Sequence, residues 1–201
     1  MKLIYNPASP FVRKVWITLI ETGLIDQVEL ETVATTAVTT PDHLKAINPL
    51  GKIPSLILDD DSVIYDSNVI CRYLDEKSGG GLYATDNLWR LLTLEATANG
   101  IMEATVLMTY EARIRPEEMV YAPWIDAQWD KASRAIAVIN SDYMDLLEGP
   151  FNMAHIVVGA ALGYADFRHG HRDWRTDNPK LAAWYVDFSQ RPSMQTTRPD
   201  Q

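Results

Sequence analysis

The sequence contains one cysteine in 201 residues, and this scarcity excludes several classes of protein. Cys71 cannot form a disulfide within the chain, and no Cys-x-x-Cys pair is present for thiol–disulfide exchange or zinc binding. A disulfide-rich secreted domain is therefore excluded, and the composition agrees with a reducing compartment. We expect Cys71 to be a buried structural side chain, because a free cysteine behaves as a small hydrophobic residue.

Long apolar runs and an excess of positive charge are also missing. No apolar run reaches the ~20 residues of a membrane-spanning helix, and the N-terminal segment lacks the basic and apolar regions of a signal peptide. The chain carries 18 Lys and Arg against 27 Asp and Glu, a net charge of −9. Nucleic acids are bound by massed positive charge, so we expect no nucleic-acid partner and no membrane association. These features predict a cytoplasmic location.

The first 78 residues alternate between strand and helix patterns. The first strand ends at Asn6-Pro7, and Ser9 followed by Pro10 is the residue order that begins a helix. Asp66-Ser67 stands where a second helix begins. The patterns give the order β-α-β-loop-β-β-α, with strands predicted at residues 2–5, 28–33, 55–58 and 62–65.

After the glycines at 79–81 the strand patterns stop. We interpret residues 79–86 as a linker between a first domain at residues 1–78 and an all-helical second domain at residues 87–201. The expected fold class is therefore α+β. Apolar periodicity and a proline at a helix start predict helices at residues 88–113, 125–146, 153–167 and from 179 onward.

Three short motifs carry the candidate chemistry: Ser9-Pro10-Phe11, Lys52-Ile53-Pro54 and Asp66-Ser67. In this order and at these separations, they resemble the motifs of the glutathione transferase family, in its serine-type branch. The resemblance covers essentially the whole chain. It implies a thioredoxin-like first domain of order βαβαββα before the all-α domain, glutathione as co-substrate with no metal, and a homodimer.

Ser9 is the predicted catalytic residue. It lies at the start of a helix, where unpaired N–H groups and the helix dipole favour an anion. A thiol with a pKa of about 8.5 is mostly protonated at neutral pH, and lowering that pKa by ~2 units requires ~2.7 kcal/mol. A hydroxyl donated to the sulfur supplies ~1.5–3 kcal/mol, and the helix end adds ~0.3–1. The alternative is that Ser9 only caps its helix.

The resemblance assigns the middle of glutathione to the second motif. Pro54 is expected to be a structural cis-proline, since the cis form costs little at X–Pro bonds. The backbone N–H and C=O of Ile53 would then pair with the tripeptide as an added strand does. Phe11, two residues after Ser9, is assigned to the same glutathione site. The alternative for Pro54 is an ordinary trans proline after a loop.

The two charged ends of glutathione are assigned to other residues. Ser67 is expected to bind the γ-glutamyl carboxylate at its helix start, with Asp66 near the ammonium group. Lys52 is the candidate for the glycine carboxylate, and His43 is a weaker one. The alternatives are a plain helix cap at Asp66-Ser67 and a solvated surface lysine at position 52.

Two segments of the second domain depart from simple expectation. Asn152-Met-Ala-His155 stands where the family has Ser/Thr-x-x-Asp, so His155 replaces an acid that would favour the helix dipole. We expect lower local stability and an altered pKa of His155. The segment Arg168-His169-Gly170-His171-Arg172 has the residue types of a small metal or anion cluster. Two histidines are weak ligation, so a solvated loop is the alternative.

The function predicted from these residues is that of a glutathione transferase with a role in detoxification. The enzyme would direct the glutathione thiolate at a hydrophobic electrophile or at a peroxide. The alternative is a catalytically weak binding or regulatory module of the same fold. A thiol–disulfide oxidoreductase is disfavoured because position 9 is serine and no Cys-x-x-Cys pair exists.

Overall fold

The computed structural model describes residues 1–199 and divides the chain into two compact units. The first contains Met1–Tyr83 and the segment that begins at Thr196, and the second contains Ala84–Gln195. The division falls inside the predicted linker, but the sequence did not predict that the C-terminal segment joins the first unit. Arg13 Nε donates a 3.3 Å hydrogen bond to the Thr197 hydroxyl, which attaches that segment.

A four-stranded mixed sheet forms the centre of the first unit, in the order β2-β1-β3-β4. β2 runs parallel to β1, and β3 runs antiparallel to both β1 and β4. The end of β1, the start of β3 and the end of β4 therefore lie at the same end of the sheet. The strands are β1 (Lys2–Tyr5), β2 (Glu29–Thr32), β3 (Ser55–Ile57) and β4 (Val63–Ile64).

Three α-helices lie in the described part of the first unit: α1 (Pro10–Glu21), α2 (Asp42–Ile47) and α3 (Ser67–Lys77). α1 packs against α3, and Cys71 is fully buried with its Sγ 3.4 Å from the Thr18 hydroxyl, which confirms its structural role. Local sequence patterns predicted a loop where α2 lies. Only Leu44 of α2 is buried, and one buried residue gives no periodic signal.

The second unit is built from helices, which confirms the predicted α+β class of the chain. α4 packs against both α5 and α7, and α7 is buried along most of its length. Within residues 1–199, no helix is long and apolar enough to span a bilayer. The helices are α4 (Leu88–Ile114), α5 (Ala122–Asp142), α6 (Met144–Leu147), α7 (Met153–His169), α8 (Pro179–Phe188) and α9 (Pro192–Thr196).

The structure differs from the predicted helices at two places. The helix predicted at residues 125–146 is interrupted at Tyr143, which separates α5 from the short α6. α9 was not predicted as a helix. At Gly159 of α7 a Cβ would lie 2.4 Å from the Phe188 ring, so this glycine allows a side chain of α8 to approach the helix closely.

Candidate functional site

The three sequence motifs meet at one end of the sheet. The Ser9 motif follows β1, the Ile53-Pro54 motif precedes β3, and the Asp66-Ser67 motif follows β4. The register pairs Ile4 with Ser55 and Leu56 with Ile64. Strand pairing thus brings together three motifs that are spread over residues 9 to 67 of the sequence.

Ser9 caps α1 while its own loop is fixed by Asn6. The half-buried Ser9 accepts a 3.4 Å hydrogen bond at Oγ from the backbone N–H of Val12. Asn6 Oδ1 accepts from the Ala8 N–H at 3.0 Å, and the Asn6 carbonyl accepts from the Ser9 N–H at 3.0 Å. Asn6 Nδ2 also donates to the Val33 carbonyl at 3.1 Å. Asn6 therefore sets the path from β1 to Ser9, a role that the sequence analysis missed.

The turn before β3 presents an unpaired piece of backbone. The Ile53–Pro54 peptide bond is cis, the conformation expected from the resemblance. Within the part of the chain that the structure describes, the Ile53 N–H and C=O have no hydrogen-bond partner. Buried Asn48 holds the turn, because its Nδ2 donates to the Lys52 carbonyl at 3.0 Å and to Ser55 Oγ at 3.1 Å. Asn48 lies four residues before Lys52, outside the three motifs, and sequence reasoning gave it no role.

The charged candidates for the glycine end of glutathione lie at the surface. The Lys52 side chain is exposed beside the Ile53 backbone, and His43 is exposed on α2. Phe11 lies in the first turn of α1 and is half-buried. These positions leave the Lys52 ammonium group accessible to a ligand at this end of the sheet.

The start of α3 combines a satisfied cap with an open hydroxyl. Asp66 Oδ1 accepts from the backbone N–H groups of Asn68 at 2.9 Å and Val69 at 3.4 Å. Ser67 is the first residue of the helix and is buried, and its hydroxyl has no partner within residues 1–199. The Tyr65–Asp66 peptide bond is also cis. A carboxylate at this helix start would find both a hydroxyl and a favourable dipole.

A buried lysine connects the two helix starts. Lys14 of α1 is fully buried, and its Nζ donates a 2.7 Å hydrogen bond to Asn68 Oδ1. Asn68 Nδ2 in turn donates to Asp66 Oδ2 at 3.3 Å. In the sequence, Lys14 stands directly before Val15 in an apolar helix, which is a weak signal that its side chain is buried. Lysines usually keep their charged group in water, so this signal alone did not predict burial.

Two second-unit segments singled out from the sequence lie apart from these motifs in the chain. His155 Nδ1 accepts from the Asn152 N–H at 3.3 Å, so the capping box of α7 is completed by a histidine. His169 Nε2 lies 2.9 Å from the Thr105 carbonyl and 3.2 Å from Thr109 Oγ1, which engages it in the helix packing. Among residues 1–199, no group of three or more His, Cys, Asp or Glu is placed to hold a metal.

Comparisons with known proteins agree with this geometry. Residues 8–77 match the family model of the glutathione S-transferase N-terminal domain, and residues 122–186 match that of the C-terminal domain. A glutathione transferase family member from Pseudomonas fluorescens Pf-5, crystallised with bound glutathione, is 47% identical and superposes with a TM-score of 0.96, covering 100% of this chain and 99% of that one. The chain belongs to the glutathione S-transferase family.

Further relatives extend the comparison. A Pseudomonas fluorescens Pf-5 family member with bound S-(propanoic acid)-glutathione is 46% identical, with a TM-score of 0.91 and full coverage of both chains. The uncharacterized GST-like protein YibF of Escherichia coli K12 is 29% identical over 99% of this chain and 98% of its own length. Family membership confirms the resemblance and the fold class that the motifs predicted.

Proposed function

We propose that this glutathione S-transferase family member conjugates glutathione to electrophilic small molecules. The tripeptide binds at the end of the sheet in the first unit. Its thiol releases a proton to solvent, the thiolate sulfur forms a bond to carbon, and the leaving group departs with its electron pair. The observation that carries the proposal is the meeting of the Ser9 cap, the unpaired Ile53 backbone and the open Ser67 hydroxyl at that place.

Each residue of the proposed site has a separate task. The N–H and C=O of Ile53 pair with the cysteinyl residue of glutathione, and Pro54 shapes the turn that carries them. Phe11 packs beside the bound tripeptide. The ends of glutathione are bound by Lys52 at the glycine carboxylate and by Asp66 and Ser67 at the γ-glutamyl group.

The Ser9 hydroxyl can cap its helix and bind the sulfur at the same time. In the cap, Oγ uses a lone pair to accept from the Val12 N–H at 3.4 Å. Its O–H proton is still available for donation to a thiolate. A charge-assisted bond of this kind is worth ~1.5–3 kcal/mol, which covers most of the ~2.7 kcal/mol that a two-unit drop in thiol pKa requires.

A carbon electrophile is favoured over a peroxide as the co-substrate class. The relative that binds S-(propanoic acid)-glutathione holds a thioether, which is the kind of bond that conjugation at carbon forms. We extend the proposal to a cytoplasmic homodimer that removes reactive electrophiles. The single buried cysteine and the family membership support this extension.

The Ser9→Ala variant tests the proposed chemistry. We expect the rate of conjugation to fall about 10–1000-fold, because the developing thiolate loses its donor, while the affinity for glutathione changes little. The measurement is kcat with a carbon electrophile, together with calorimetric titration of glutathione into each variant.

The matched control is Ser62→Ala, which removes an exposed serine from the β3–β4 hairpin of the same unit. Its kcat is expected to equal that of the wild type. An unchanged rate in Ser9→Ala would remove Ser9 from catalysis. A wild-type protein that binds glutathione but conjugates none of a panel of carbon electrophiles would be a binding module and not an enzyme.

A further inference from the structure

The chain returns to the first unit after it has completed the second one. The segment that begins at Thr196 belongs to the first unit with Met1–Tyr83, although all of Ala84–Gln195 lies between them in sequence. We call residues 196–199 the return segment. Its Thr197 is 1% exposed, which is the burial of a core residue. Segments at the edge of a domain are poorly ordered unless contacts tie them down, so burial of this kind requires a specific contact.

That contact is made with α1 through Arg13. Arg13 Nε donates a hydrogen bond to Thr197 Oγ1 at 3.3 Å, and the two residues are 184 positions apart in the chain. Arg13 itself is buried, with 6% of its surface exposed. Arginine is almost never buried to this extent unless it is paired, so the Thr197 hydroxyl is part of what allows Arg13 to lie inside the first unit.

Arg13 belongs to the turn of α1 that presents Ser9. Its backbone N–H donates to the Ser9 carbonyl at 2.9 Å, which is the bond that begins the helical pattern. The Ser9 cap itself is long, with 3.4 Å between Oγ and the Val12 nitrogen, and a bond of that length orients a side chain weakly. The next residue, buried Lys14, contacts Asn68 of α3. Long-range side-chain contacts therefore hold the start of α1 where its own cap does not.

Two simpler accounts of Arg13 leave its position unexplained. A basic side chain in the last turn of a helix offsets the helix dipole, but Arg13 is in the first turn, where a positive charge opposes the dipole. An arginine that served solubility would extend into water, and Arg13 is buried. A contact that anchors the return segment accounts for both the burial of Arg13 and its place in α1.

We propose that the return segment is a positioning element for Ser9. Thr197 holds Arg13, and Arg13 holds the first turn of α1 in the position from which the Ser9 hydroxyl donates to the sulfur of glutathione. Thr197 and Arg13 are positioning residues, because they act through Ser9. This inference rests on the proposed function and deepens it: the site in the first unit depends on a segment that follows the second unit in the chain.

The pKa of the bound glutathione thiol reports the position of the Ser9 hydroxyl without requiring turnover. It is measured from the ultraviolet absorbance of the thiolate in the complex of the full-length protein with glutathione, as the pH is varied. In Thr197→Val, which removes the hydroxyl and keeps the side-chain shape, we expect the thiol pKa to rise by about 0.5–1 and kcat near neutral pH to fall about three- to tenfold. The KM for glutathione is expected to stay within about twofold of the wild-type value, because the Ile53 backbone and Ser67 are untouched.

Further variants separate positioning from a general loss of structure. Thr197→Ser keeps the hydroxyl and is expected to keep the wild-type thiol pKa. Arg13→Met removes the donor, and adding Thr197→Val to it is expected to cause no further rise, because both substitutions break the same bond. Thr196→Val makes the same change as Thr197→Val at the neighbouring exposed position, and this control is expected to behave as the wild type.

An unchanged thiol pKa in Thr197→Val, or additive effects in the double variant, would overturn the inference. If Thr197→Val fails to fold, Arg13→Met takes its place, and an unchanged pKa in that variant has the same meaning. The proposed function fails in a different way, because Ser9→Ala would then leave the thiol pKa unchanged. A pKa that rises in Ser9→Ala but not in Thr197→Val counts against the return segment alone.

Discussion

Buried and half-buried polar side chains fix the backbone segments of the proposed glutathione site. Asn6 fixes the loop before Ser9, and Asn48 fixes the turn before Ile53. Lys14 ties the first turns of α1 and α3 together through Asn68. A buried amide or ammonium group is tolerated only when its hydrogen bonds are made, so each of these side chains favours one geometry of its segment.

Replacing Lys14 with methionine tests this support. The change keeps the side-chain length and removes the donor to Asn68, which also hydrogen-bonds the Asp66 carboxylate. We expect the KM for glutathione to rise about fivefold, corresponding to ~1 kcal/mol of lost positioning, with kcat nearly unchanged because Ser9 is untouched. Steady-state kinetics with varied glutathione measures both constants.

Lys77→Met is the matched control, since Lys77 is exposed in the last turn of α3. Its KM is expected to stay at the wild-type value. Equal KM values for Lys14→Met and Lys77→Met would show that the Lys14–Asn68 bond does not position the binding residues. A fall in kcat alone would place Lys14 in a different role.

The sequence was informative about the residues that we propose bind glutathione and uninformative about the side chains that support them. Ser9 and Ile53 belong to contiguous motifs with local signals such as a helix cap before proline. Asn6 also binds Val33, and Lys14 binds Asn68, which are partners about 27 and 54 positions away in the chain. No local pattern encodes such pairs, because the contacts form only after β1 and β2, or α1 and α3, have packed.

Among the helices, α7 starts in an environment that suits a neutral histidine. The ring of His155 lies within 6.0 Å of the rings of Trp184 and Phe188 and 5.4 Å from Phe151. Burial lowers the pKa of His155 to about 4, against the raising effect of a backbone hydrogen bond to Leu147. The unprotonated Nδ1 accepts from the Asn152 N–H, so the neutral form completes the capping box that an acid was expected to make.

This arrangement predicts a loss of stability in mild acid. In the unfolded chain a histidine has a pKa of ~6.5, whereas in the folded protein the pKa of His155 is about 4. Between these two pH values the unfolded state binds a proton that the folded state does not bind, and this difference destabilises the fold. The His155 contribution is complete above pH ~6.5 and falls as the pH drops toward 4, by up to ~3 kcal/mol. The free energy of unfolding, measured in urea at several pH values from 7 to 4.5, gives this slope.

The His155→Gln variant isolates the contribution of this side chain. Glutamine at the same position can complete a capping box and does not titrate. Over the same pH range, the free energy of unfolding of this variant is expected to decrease by ~2 kcal/mol less than that of the wild type. His43→Gln, on the exposed surface of α2, is the control and is expected to keep the wild-type slope. Identical slopes for the wild type and His155→Gln would contradict the prediction.

The helix boundaries show where periodicity stops being informative. The spacing of apolar residues continues through Tyr143 into α6, and nothing in that pattern marks the break between α5 and α6. Local patterns therefore predicted the long helices with a core face and missed the short helices α2 and α9, of which only α2 was implied by the family resemblance. A helix of five or six residues presents too few buried positions for a period to be recognised.

At the scale of the whole molecule, the single chain leaves large apolar side chains uncovered. Trp89, at the start of α4 in the second unit, is 78% exposed, and Val69 of α3 in the first unit is 46% exposed. An exposed tryptophan is a common anchor of protein interfaces. The homodimer proposed from family membership would give such a side chain a partner surface.

Sedimentation equilibrium tests the dimer directly. We expect a species of about twice the chain mass of 22.7 kDa at micromolar concentration. Trp89→Ser is expected to raise the dimer dissociation constant about 10–100-fold, because interface tryptophans commonly contribute ~2 kcal/mol or more. Val186→Ser, which removes a side chain that is 59% exposed on α8, serves as the control and should remain dimeric. A wild-type protein that sediments only as a single chain would contradict the proposed dimer and leave Trp89 to another role.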